Sequence, residues 1–204
     1  MKKIQPLNIL YFFSLLLAIT SCRKEDACTN VQRGNSAAAK INASERLTIP
    51  VAVALPDNAP KGNIRVATYY AEGVQKYKAS PKAGDPGKFE WVFVAPDALL
   101  YDINNVKVGT HGAGPYWQLT SADLIYAQHF SPARTSASPD AESIDWLLLK
   151  TKTGTTPTGI FAGVDYIQRI ATKGGKAPQT APEKVTDSVA VKYQAVYRFS
   201  RVVQ

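Results

Sequence analysis

Gly109-Thr110-His111-Gly112-Ala113-Gly114-Pro115-Tyr116-Trp117 is the densest run of chemistry-bearing residues in this 204-residue chain. Glycines let the backbone approach a ligand closely and adopt positive φ. A histidine such as His111 can serve as acid, base or ligand near neutral pH. Tyr116 and Trp117 join an apolar body to a polar tip and could stack on a sugar or another flat ligand. The competing reading is architectural, and it carries more weight: a tight loop in which His111 caps a backbone carbonyl and Trp117 belongs to the core. The run is not a phosphate loop, because it lacks the Gly-Lys-Ser/Thr ending and the strand-to-helix setting.

Other candidates are more dispersed. Glu72 and Gln75 flank Gly73 in a conspicuous block. A carboxylate pair for glycoside cleavage could be drawn from Glu72, Glu90, Asp97, Asp102 or Asp145, although turn and edge positions explain these residues more simply. Arg169 could clamp an anion through its planar fork. A structural pairing with Asp165 or a neighbouring carboxylate is preferred for it. His111 and His129 are the only histidines, and no ligand spacing joins them. A cluster of His111, His129 and Asp123 would have to be assembled by the fold, so no metal site and no cofactor is expected. No Gly-x-Ser-x-Gly elbow occurs, and no serine has an identifiable catalytic setting. The sequence therefore leans away from an enzyme.

These residues must be positioned by strands. Short β-branched and aromatic runs recur between turn signals, punctuated by thirteen glycines and thirteen prolines. Expected strands include Val51–Leu55, Ile64–Ala71, Val74–Lys78, Phe89–Val94, Val106–Val108, Tyr116–Leu119, Leu124–Ala127 and Ile144–Lys150. Glycine inside 160–170 suggests a bend or bulge. The clearest strand is the last. Val189, Val191, Tyr193, Ala195, Tyr197 and Phe199 share one face, with period two over eleven residues. Residues 131–143 and 173–188 read as long surface loops. Trp91 and Trp146 read as core. The pattern predicts an all-β domain, either an antiparallel β-sandwich or a barrel-like domain.

The N-terminus addresses the chain. Lys2 and Lys3 precede the apolar run Ile9–Ile19, which Thr20-Ser21-Cys22 closes. That is the layout of a secretory signal, and its cysteine makes it resemble a bacterial lipoprotein signal. The run is too short for a comfortable membrane span, which needs about 20 apolar residues. Cys22 is thus the expected lipidation site, with two or more acyl chains holding firmly to a membrane. Arg23-Lys24-Glu25-Asp26 resembles a surface-export tag and reads equally well as a charged spacer. The expected domains are a signal peptide (1–21), a flexible tether (22–45, with a short helical turn near Ala37–Ile41) and a single domain (46–204). Residues 1–21 carry two lysines and no acids, so the formal charge falls from +8 to +6. The charge is scattered, which argues against nucleic acid as a partner. Only Cys28 remains beside Cys22, so no internal disulfide is expected and the core must hold the fold.

Several blocks, taken in order, resemble the domain family of unknown function DUF3455. They are residues 67–77 (Ala-Thr-Tyr-Tyr-Ala-Glu-Gly-Val-Gln-Lys-Tyr), Trp91–Ala98, Val108–Trp117, Ile144–Leu149, Ile167–Pro178 and Val191–Phe199. The ordered set is specific where each block alone is weak. The resemblance implies no reaction, substrate or cofactor. The family often has a cysteine after the block that ends at Tyr77 and another after the block that ends at Pro178. Lys78-Ala79 and Gln179-Thr180-Ala181 stand there in this chain. The joint absence implies that the two cysteines pair when present, in a bond that contributes about 2–4 kcal/mol. The strands near Tyr77 and Pro178 are therefore expected to be neighbours.

The sequence thus leads to a lipid-anchored cell-envelope protein on the outer membrane, periplasmic or surface-exposed. It would serve as a binding or structural module for a carbohydrate or another small-molecule ligand of the envelope. His111, Tyr116, Trp117, Glu72, Gln75 and Arg169 are the ligand-binding candidates, and no protein partner is indicated. The alternative is an envelope hydrolase using His111 or Glu72.

Overall fold

The computed structural model describes residues 35–204. Cys22, Cys28 and the signal segment lie outside the described residues. Eight strands follow one another: β1 (Asn63–Pro81), β2 (Phe89–Tyr101), β3 (Lys107–Gly112), β4 (Tyr116–Gln118), β5 (Leu124–Ser136), β6 (Trp146–Thr151), β7 (Tyr166–Gly174) and β8 (Ser188–Val202). Each pairs antiparallel with the next, and β8 returns to pair with β1, so the sheet closes on itself. Closure is how an all-β chain removes its exposed strand edges. The all-β expectation holds, and of its two forms the closed ring is the one adopted.

Side chains alternate between lumen and exterior. Along β8, Tyr193, Ala195, Tyr197 and Phe199 point inward and join Ala71, Leu100, Trp117, Ile125 and Ile167 in the interior core. One end of the lumen is plugged. A 3-10 turn at Gly159–Phe161 drives Phe161 against Phe199 and Tyr69, with ring centroids 4.8 and 6.3 Å away.

A second core lies on the outside of the ring. Helix α1 (Ala37–Ser44) is capped by Ser36, whose hydroxyl accepts from the Ala39 amide. It lays Ala37 and Ile41 over Tyr70, Trp146, Leu148, Ile170 and Val196. Arg198 is buried beneath it and donates to the Ser44 carbonyl at 2.7 Å. Residues 35–45, which the sequence assigns to a tether, are therefore seated on the sheet.

Several boundaries differ from the sequence reading. Val51–Val53 is a 3-10 turn, not a strand. Its carbonyls are taken by side chains: Arg134 donates to Val51, Ala52 and Ala54, and Gln168 to Val53. Prolines at 50 and 56 bound this short apolar run, and periodicity alone cannot tell such a run from a strand. The two strands expected on either side of Gly73 are one continuous β1. Residues 131–136, expected in a loop, continue β5 through Pro132, with the register shifting between His129 and Arg134. Trp91 is half-exposed and donates to the Thr180 carbonyl at 2.9 Å, so it is not core. Trp146 is buried, but in the outer cluster.

Candidate functional site

The end of the ring opposite Phe161 is open and forms a cup of about 580 Å³, within the range of small-molecule sites. Its rim carries Phe93, Val94 and Pro96 of β2, His129 of β5, and Lys176 and Ala177 of the β7–β8 loop. Its wall carries Gln75, Trp117, Leu147, Leu149, Arg169 and Tyr197. The β7–β8 loop crosses the mouth because Gly175 turns with φ +89° where a Cβ would fall 2.8 Å from that of Tyr193. Tyr77 ties the loop down, donating from its hydroxyl to the Gly175 carbonyl at 2.6 Å. With the Trp91–Thr180 bond, this makes the segments near Tyr77 and Pro178 neighbours, as expected.

The glycine-rich run is the β3–β4 hairpin. Gly112 serves strand packing, because a Cβ there would come within 2.6 Å of the Tyr116 ring. His111 pairs with Trp117 across the ladder, and both point inward. The His111 ring stacks on Trp117 at 4.4 Å and 11°. Tyr197 and Phe199 meet Trp117 edge-on at 5.1 and 5.6 Å. Trp117 is fully buried, so it presents no open face for a sugar. Tyr116 points to the exterior beside Tyr126.

Hydrogen bonding fixes the state of His111. Its Nδ1 lies 2.7 Å from the Tyr116 carbonyl. A carbonyl only accepts, so Nδ1 carries the proton. The neutral ring then accepts at Nε2 from the Tyr197 hydroxyl, 3.1 Å away. Burial pulls the His111 pKa down to about 3, against the upward pull of the Tyr116 carbonyl, and the nearby Arg169 charge lowers it further. Burial likewise raises Tyr193 and Tyr197 above the ordinary tyrosine range, while Arg169 pulls both back.

Arg169 is the dominant charge of the wall. Its Nε and Nη2 donate to the Asp145 carbonyl at 3.1 and 2.8 Å, which fixes the guanidinium plane. Among the described residues no carboxylate lies within ion-pair distance of it. The preferred pairing with Asp165 does not form. That carboxylate accepts from the Val202 amide instead.

Among the described residues, two donors in the wall have no partner: Gln75 Nε2 and Trp117 Nε1. Gln75 is 2% exposed, and a buried donor without a partner costs free energy. The structure thus gathers Gln75, His111, Trp117 and Arg169 into one cup. Glu72 is exposed on the outer side of β1, and Tyr116 is also outside. His129 joins the rim, but the carboxylate of Asp123 lies elsewhere, accepting from Thr120 and from the Ile160 amide. Among the described residues no three metal-ligating side chains converge. The sequence reading missed Tyr77, Phe93 and Leu147 as site residues. Their one signal was alternation, which marks a buried face without saying that the face surrounds a hollow.

A family model described as a protein of unknown function, DUF3455, matches residues 60–201. No curated protein and no solved structure matches the chain.

Proposed function

Starting from a chain that belongs to the DUF3455 family, we propose that this protein is a small-molecule-binding module of the cell envelope and that its ligand enters the open end of the ring. The observation that carries this reading is a cup of about 580 Å³ with two unpartnered donors buried in its wall. A ligand supplying acceptors would satisfy Gln75 and Trp117 and bury its apolar body against Leu147 and Leu149. The plugged end makes the cup a pocket and not a channel. The signal segment and Cys22 support anchoring to the outer membrane by acyl chains, in the periplasm or at the surface.

The hydrolase alternative draws less support. His111 has its Nε2 lone pair engaged by Tyr197 and no carboxylate beside it, and Glu72 stands outside the cup. A carbohydrate stacked on Trp117 would need a ring face that His111 already covers.

The test is thermal unfolding of the full chain against metals, glycans and small organic molecules. A ligand that binds only the folded state raises the midpoint by mass action. The expected result is a shift with an apolar organic molecule that disappears in Leu147→Trp, which fills the cup. A shift given only by metals or glycans, or one untouched by Leu147→Trp, would overturn the proposal.

A further inference from the structure

The cup's walls also select a ligand class. This step rests on the binding reading above, and we infer that the ligand is an organic anion, with a carboxylate or a similar planar oxyanion on Arg169 and an apolar body facing Leu147 and Leu149. Two cationic side chains, Arg169 and Lys176, line the cup. Arg169 is held flat by the Asp145 carbonyl and has no carboxylate partner among the described residues. A pre-oriented fork of this kind matches a carboxylate and gives charge-assisted hydrogen bonds.

Gln75 Nε2 and Trp117 Nε1 add two more buried donors without partners among the described residues. Two acceptors of the deep wall are already engaged. His111 Nε2 takes the Tyr197 hydroxyl, and the Gly175 carbonyl takes Tyr77. Lys176 at the rim adds positive charge, with its ammonium donating to the Ala141 carbonyl. Among the described residues, Asp145 is the one carboxylate that lines the cup. Its side chain is exposed and makes no ion pair with Arg169. A neutral ligand would leave the guanidinium half used. A cation would be repelled by it.

A matched pair of probes separates this inference from the reading beneath it. 2-Naphthoate and its neutral amide, 2-naphthamide, share one apolar body and differ in charge. Each is titrated calorimetrically into the full chain held in lipid nanodiscs, with empty nanodiscs as reference. The acid is expected to bind about tenfold tighter than the amide, the effect of one charge-assisted pair. Arg169→Gln should abolish the preference for the acid over the amide, and a cooperative unfolding transition of the variant shows that it is folded. Arg169→Lys keeps the charge without the fork and should retain part of the preference. Equal binding of acid and amide, indifferent to both variants, would overturn the anion inference and leave the cup as a binding site. Binding of neither probe would overturn both.

Discussion

His111 lies face to face on Trp117, with ring centroids 4.4 Å apart and planes 11° apart, and this pair forms the deep wall of the cup. The stack explains why the glycine-rich run looked like a site and is built like a core. His111 is spent on holding Tyr116 and Tyr197, and the buried indole Nε1 of Trp117 has no partner among the described residues.

The first consequence is a dependence of stability on pH. The folded His111 pKa of about 3 lies below its ordinary value of 6.5. Between those limits the unfolded chain binds the extra proton, so this contribution is complete above pH 6.5 and is lost as pH falls toward 3. From pH 7 to pH 5 the loss is about 2 kcal/mol. His111→Gln keeps a donor and an acceptor without titrating. Urea unfolding at the two pH values should show the variant losing less stability than the parent by about that amount. Equal losses would mean that His111 is not buried in its neutral form.

Phe161 should act as the plug. It is fully buried between Tyr69 and Phe199. Phe161→Ala should cost about 3–5 kcal/mol in chemical unfolding. A cost below about 1 kcal/mol would show that the turn at Gly159–Phe161 is not what closes that end.

Helix α1 should be part of the folded unit. Ile41 packs in the outer cluster with Trp146 and Val196. Ile41→Ala should cost about 2–3 kcal/mol and shift Trp146 emission toward that of an exposed indole. An unchanged unfolding midpoint would return residues 35–45 to the tether.

How much of this was legible in the sequence depended on the range of the signal. β8 was read correctly because alternation is local: Tyr193, Ala195, Tyr197 and Phe199 needed no partner to declare a face. Val51–Leu55 has the composition of a strand, but its conformation is set by Arg134 and Gln168, which lie some 80 and 115 residues away. Gln75 and Arg169 were each noticed but not joined, since only closure of the ring brings β1 and β7 to the same hollow. Trp91 looked like core because its neighbours are apolar. It lies on the part of β2 that pairs with β1 and has no β3 partner, which strand propensity alone does not reveal.

The loop over the mouth should loosen when its tie is cut. Tyr77→Phe removes the hydroxyl that donates to the Gly175 carbonyl. The expected cost is about 1 kcal/mol, with faster amide hydrogen exchange confined to residues 175–187. Exchange unchanged in that segment would mean that other contacts hold the loop.

The central claim is that a small molecule occupies the cup beside Trp117, and the indole N–H resonances test it most directly. The chain has three tryptophans. Trp91 donates to the Thr180 carbonyl, Trp146 lies under α1, and only Trp117 lines the cup. Spectra of the full chain are recorded while 2-naphthoate and then 2-naphthamide are added, with resonances assigned by single Trp→Phe variants. The expected result is a saturable shift of the Trp117 indole and the Gln75 side-chain amide, with Trp91 and Trp146 still. A stationary Trp117 indole, or equal movement of all three, would contradict it.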